Sequence, residues 1–289
     1  QCANLVDEMT DKGFIALQVH SIKDKSQEGK TIKWKNIKII TENLEKYKSK
    51  NQPHALQISY LNNKLTQEEI RKGWRLLWDG KTTNGWKGSK SDEFPKNGIE
   101  IVDGTIHFLK HKNKNDYEKS GDIVTRERFD NFELEVDFMV KKGGNSGIKY
   151  IVDALNYGDG RNIGLEFQIL DDDHPDHNGG VGGNRTIGSL YDLIAAENLS
   201  ESGRDDIRAN GNGNWNRARV VVNGGNVEHW INNIKVVEYN RFSQSMKNLI
   251  NKSKYVNHQG FGIGSNGRIL LQDHSPGDIK FKNIKIREF

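Results

Sequence analysis

The sequence predicts an all-β protein, two sheets packed as a sandwich or jelly roll, and three observations carry that prediction. Short apolar stretches rich in β-branched residues alternate with polar ones at period two. Turn residues are abundant, with 30 Gly against 4 Pro in 289 residues, and helical periodicity is confined to a few brief segments. A stack of amphipathic strands joined by tight turns buries its apolar faces by packing sheet on sheet.

The chain opens on a repeat. GFIALQVHSIKDKSQEGKTIKWKNIKI, from Gly13 to Ile39, resembles GRILLQDHSPGDIKFKNIKI, from Gly267 to Ile286. Each is an apolar strand ending in Leu-Gln-x-His, a loop, and a second strand, so a duplicated domain is expected. The first copy has little before it, and residues 1–40 are expected to be the C-terminal strands of a truncated first domain. Such strands need partners: the main domain, another chain, or a missing part of the first domain. Residues 41–72 are polar and read as a short helical linker. Thr66-Gln67-Glu68-Glu69 fits a capping box and predicts a helix over Gln67–Lys72, and Glu42–Lys50 is a second helix candidate.

Residues 73–289 read as one complete sandwich. Strands are expected at Trp74–Trp78, Gly98–Val102, Thr105–Leu109 and Asp122–Thr125. Phe132–Val140 alternates cleanly, with Leu134, Val136 and Phe138 on one face and Glu133, Glu135 and Asp137 on the other, read as a solvated face. Gly147–Val152, Gly164–Leu170 and Gly188–Leu193 follow. Trp215–Asn223 and Asn226–Ile231 predict a hairpin across Gly224-Gly225, extended by Lys235–Tyr239. Ser243–Asn251 has helical spacing, and the second copy of the repeat closes the domain.

Composition narrows the function. Lys+Arg at 43 against Asp+Glu at 39 gives +4, spread along the chain with no arginine-rich block, which argues against nucleic acid. No apolar run approaches the ~18 residues of a membrane span. One cysteine, Cys2, excludes an intrachain disulfide and a cysteine-based zinc site.

The most informative stretch is GLEFQILDDDHPD, residues 164–176. Leu165, Phe167 and Ile169 share one face of a strand, Glu166 and Gln168 the other, and the strand runs into a loop of Asp171, Asp172, Asp173, His174, Asp176 and His177. A carboxylate and an amide on an open sheet face suit a polar ligand. Polar positions on neighbouring strands join them: Lys149, and Gln272 with His274. His229 lies on an ambiguous face, where a buried imidazole held by a hydrogen bond is the simpler reading. Glu166 and Asp171 form a carboxylate pair suited to acid–base work on a glycoside. Asp171, Asp173, His174, Asp176 and His177 offer hard oxygen and imidazole donors for Ca²⁺, Mn²⁺ or Zn²⁺, although their spacing matches no dedicated metal motif; Asp171 is the metal candidate. Gly143-Gly144-Asn145-Ser146-Gly147 precedes no helix, so it reads as a tight turn presenting Asn145 and Ser146, not as a phosphate cradle.

With those residues in place, the chain resembles the 3-keto-disaccharide (3-keto-glycoside) hydrolase family, whose fold is a concanavalin A-like jelly roll. The motifs are GWRLLWDGKTTNGW at 73–86, GNSGIKY at 144–150, GLEFQILDDDHPD at 164–176, GSLYDL at 188–193, VEHWINN at 227–233 and LLQDHSPGDIKFKNIKIRE at 270–288. They cover nearly all of residues 73–289. The resemblance implies a sugar or glycoside substrate and a periplasmic, outer-membrane-associated or extracellular setting. A 3-keto group acidifies the hydrogen on C2, so elimination of the C1 substituent followed by hydration gives net hydrolysis. Under that reading Glu166 or His174 is the base, Lys149 or a bound divalent ion stabilises the enolate, and His274 is a further catalytic candidate. Gln168, Asn145, Gln272 and His229 would contact the sugar, with Tyr191 and Trp230 stacking on it. The alternatives are a carbohydrate-binding module without turnover and a structural domain of an envelope protein.

Overall fold

The computed structural model describes residues 3–6, 14–17, 31, 33–39, 41–43, 56–59, 61–110, 121–153, 163–199, 214–274 and 278–289. The chain divides into two compact units, Gln1–Leu61 and Asn62–Phe289. In the first, strands β1 (Ala3–Val6) and β2 (Leu56–Ser59) pair in parallel. Residues 14–17 and 33–39, expected in strands from the repeat, carry none. Apart from residue 31, the rest of residues 13–40, and residues 44–50 of the expected second helix, lie outside the described residues.

The second unit begins within the segment read as a linker. Asn63 explains why residues 62–72 belong to it: its side chain donates to Gly104 O (2.9 Å) and accepts from Asn283 N (2.8 Å). Helix α1 (Gln67–Arg71) starts at Thr66 with the expected capping box, the Thr66 side chain accepting from Glu69 N and the Glu69 carboxylate accepting from Thr66 N. Lys285, buried, bridges Glu69 to Glu135 and ties this helix to the sandwich.

The strands that follow are β3 (Arg75–Leu76), β4 (Trp86–Gly88), β5 (Ile99–Val102), β6 (Thr105–Phe108), β7 (Ile123–Thr125), β8 (Phe132–Val140), β9 (Asn145–Asp153) and β10 (Ile163–Leu170). Then come β11 (Asn216–Asn223), β12 (Asn226–Ile231), β13 (Ile234–Asn240), helix α2 (Gln244–Asn251), β14 (Arg268–Leu271) and β15 (Ile279–Glu288). Ser243 caps α2, and Met246 anchors it in the core. Two antiparallel sheets form the sandwich. One has the order β10-β9-β14-β7-β4; the other runs β13-β12-β11-β8-β15-β6-β5, with β3 also on β15. The β11–β12 hairpin turns at Gly224-Gly225, as its spacing predicts. Residues 188–193, expected as a strand, form a loop instead, which touches the edge strand β10 through a bridge at Leu190.

The core lies between the sheets. Phe138, Phe167 and Phe281 are fully buried, each contributing about 1.5–3 kcal/mol relative to exposure. The far face of the larger sheet is not simply solvated: Glu133 pairs with Arg219 and Arg287, Asp137 with Arg217 (2.7 Å), and Glu135 with Lys285 (2.8 Å). The smaller sheet is irregular at Ile151, whose φ of 51° is unusual for a β-branched residue, and the register shifts there on both sides. Gly164 makes room for this bulge, because a β-carbon on it would stand 2.7 Å from Tyr150 O.

Candidate active site

In the smaller sheet the core-facing residues are Phe167 on β10, Ile148 on β9, Leu271 on β14 and Ile123 on β7. Their neighbours therefore point to the opposite face. Glu166 and Lys149 are direct cross-strand partners, as are Gln168 and Gly147. Gln272 N bonds Gly147 O, which brings Gln272 level with them. Over this face lies a cleft of about 1050 Å³, lined by Glu166, Lys149, Gln168, Asn145, Tyr191, Gln272 and His274.

The Lys149 ammonium stands 3.8 Å from Glu166 Oε2, and both side chains are largely shielded from solvent. Gln168 is buried; its amide donates to Asn145 Oδ1 (3.1 Å), and its own Oε1 has no hydrogen-bond partner among the described residues. Tyr191 is carried by the 184–194 loop. That loop bonds along β10 through Gly188 N to Gln168 O (2.8 Å) and Tyr191 N to Glu166 O (3.0 Å). Arg185 pins the loop to Asp192 (2.9 Å) and lies over the Tyr191 ring, with the Lys254 ammonium 4.1 Å from the ring centroid. Burial pushes the Tyr191 phenol up and the Lys254 ammonium down.

Four residues anticipated in the site stand elsewhere. His229 is fully buried in the inter-sheet core: its Nδ1 donates to Gly188 O (2.9 Å), which can only accept, so Nε2 accepts from the Tyr150 hydroxyl (2.6 Å). Burial lowers its pKa to about 4, against the upward pull of the Gly188 hydrogen bond. Trp230 lies on β12 of the larger sheet, packed between Arg219 and Lys235 with its indole N–H on Glu228 (2.8 Å). His174 does not line the cleft. It caps a 3-10 turn, Pro175–Asn178, by accepting from Asp176 N, and burial lowers its pKa. Asp171 uses one oxygen to hold the neighbouring turn, accepting from Gly143 N (2.6 Å) and Asp173 N. Among the described residues no group of three or more His, Cys, Asp or Glu side chains is arranged to hold a metal ion.

Sequence reasoning missed other parts of the wall. Asp122 lies just before β7, and Lys254, Tyr255 and His258 follow α2; the 88–97 segment forms one rim. Tyr255 is fixed by stacking on Phe261, centroids 4.1 Å apart. Asp122 could have been found from the alternation that makes Ile123 a core residue. The residues after α2 carry no periodic signal. Burial holds the Asp122 carboxyl above the usual carboxylate range, with Lys149 pulling against it.

A family model described as the 3-keto-α-glucoside-1,2-lyase-like domain matches residues 73–287, which contain every residue of the cleft. The chain belongs to this family. A 3-keto-disaccharide hydrolase of Bacteroides thetaiotaomicron is 34% identical over 237 residues, spanning 74% of this chain and 78% of that protein. A candidate glycosyl hydrolase from Parabacteroides distasonis is similar in structure, with a TM-score of 0.65 at 29% identity, covering 79% of this chain and 100% of that one. A second P. distasonis structure, at 22% identity and TM-score 0.53 over 75% of this chain and 99% of its own, shares the fold.

Proposed function

We propose that this chain cleaves the glycosidic bond of 3-keto-glycosides by elimination across C1–C2 followed by hydration. The observation that carries this reading is the Glu166–Lys149 pair on the floor of the cleft, a carboxylate 3.8 Å from an ammonium in a shielded site. The keto group makes the C2 hydrogen acidic. Glu166 removes it, and the electrons left behind become an enolate on the C3 oxygen, which Lys149 stabilises. As the carbonyl re-forms, the C1–O bond breaks and a C1=C2 double bond appears. Water then adds its oxygen to C1, and C2 regains a proton.

The other sequence-derived residues have supporting places. Gln168 and Asn145, bonded to each other, place an amide pair in the cleft wall beside Glu166, where the sugar hydroxyls would lie. Tyr191, with the Arg185 guanidinium and the Lys254 ammonium over its ring, would contact the sugar from the cleft wall. His174, lying outside the cleft, drops behind Glu166 as base.

The test is incubation with 3-keto-glucosides and analysis of products, for wild type and Glu166→Gln. Wild type should release the aglycone; the variant should fold normally and lose ~100-fold or more of the rate. Retention of a keto-glycoside by the wild type without any product would instead make the domain a binding module.

A further inference from the structure

We propose that Asp122 donates the proton to the departing glycosidic oxygen, a role that rests on the keto-glycoside reading above. Elimination moves two protons. Glu166 takes the one on C2, but the oxygen leaving C1 of a disaccharide would depart as an alkoxide, a poor leaving group in a shielded cleft unless it is protonated as the bond breaks.

Asp122 stands in the right place to do this. Ile123 is part of the core and pairs with Leu271, so Asp122 points to the cleft side, level with Gln272. It lines the same cleft as Glu166 but from the other side, since the strand order β10-β9-β14-β7 puts three strand steps between them. Its carboxyl is held in position: Oδ1 accepts from Asp273 N (2.9 Å), while Asp273 Oδ2 accepts from Gly121 N (3.0 Å). Among the described residues it forms no ion pair, whereas Glu166 has Lys149 beside it. The two carboxyls of one cleft thus have different nearest partners, an ammonium beside Glu166 and a backbone amide on Asp122. Burial favours the neutral form of Asp122, with Lys149 pulling the other way. Tyr191 is a weaker donor, because burial makes its phenol harder to ionise.

The step balances. Glu166 accepts the C2 proton, the C1–O electron pair goes to the leaving oxygen, and Asp122 protonates that oxygen and becomes a carboxylate. In hydration Asp122 takes a proton from the incoming water as its oxygen bonds C1, and Glu166 returns its proton to C2. Both residues end as they began.

The experiment compares wild type with Asp122→Asn on two substrates, a methyl and a 4-nitrophenyl 3-keto-glucoside. Asn keeps an acceptor for Asp273 N, and a melting curve checks the fold. The variant is expected to lose ~100-fold or more on the methyl substrate and less than ~10-fold on the nitrophenyl one, whose phenolate leaves unprotonated. In D₂O it should still exchange the C2 hydrogen of the methyl substrate, because the enolate forms but returns. Equal losses on both substrates, no loss on the methyl one, or abolished C2 exchange would each overturn the assignment to Asp122 while leaving the reaction standing. A wild type that cleaves neither substrate would overturn the reaction itself.

Discussion

Gly147 lies beneath Glu166, and its missing β-carbon leaves the space that the Glu166 carboxylate fills. A β-carbon there would collide with Oε1, Cδ and Cγ of the Glu166 side chain, and not with backbone. Gly147→Ala should therefore displace the carboxylate while leaving the sandwich intact. The expected result is a fall of about 100-fold in kcat/KM with a melting temperature within a few degrees of wild type. A variant of full activity would show that the carboxylate need not rest over position 147.

In the proposed reaction Lys149 supplies positive charge where the enolate develops, so its loss should be felt in turnover more than in binding. Lys149→Met is expected to lower kcat by about 100- to 1,000-fold with little change in KM. Steady-state kinetics on a 3-keto-glucoside separates the two. An effect confined to KM would make Lys149 a substrate anchor.

His229 makes stability depend on pH. The unfolded chain takes up a proton near pH 6.5, while burial keeps the folded imidazole neutral down to about pH 4. Between these values the unfolded state binds more protons, so stability is lost as pH falls through the window and is unaffected by this group above it. The full effect is on the order of 3 kcal/mol. Urea unfolding at pH 7 and pH 4.5 should show the loss in wild type and a smaller one in His229→Gln.

The two aromatic residues expected to stack on sugar are separable. Tyr191 lines the cleft, and Tyr191→Ala should raise KM about fivefold by removing a ring worth about 1 kcal/mol. Trp230 lies on the other sheet between Arg219 and Lys235, and Trp230→Ala should leave kcat and KM unchanged. Equal effects from both would contradict the placement of the site.

Much of the fold was legible because burial on one face imposes period two. The alternation of Phe132–Val140 and of Leu165–Ile169 fixed both the strands and their inward faces. The capping box at Thr66 and the glycine pair at 224–225 marked a helix start and a hairpin through local chemistry. Register was not legible. Nothing local says that Glu166 faces Lys149, or that β14 inserts between β9 and β7 and so brings Asp122 to the same cleft. His229 and Trp230 are adjacent and both plausible, and only sheet pairing decides that one enters the core and the other meets cations. His174 and Asp171 looked reactive by composition, yet their polar atoms organise the turns they stand in. Glu135 and Asp137 read as a wet face because their basic partners are far away in sequence.

The loop over β10 has a consequence beyond carrying Tyr191. β10 is the outermost strand of its sheet, and an uncovered strand there would offer a ready template to a neighbouring molecule. Residues 188–191 occupy part of that template with their own amides and carbonyls. The segment that gives the cleft one of its walls thus also discourages self-association, and shortening it would expose the strand bearing Glu166 to fibril-like pairing as well as opening the site to solvent.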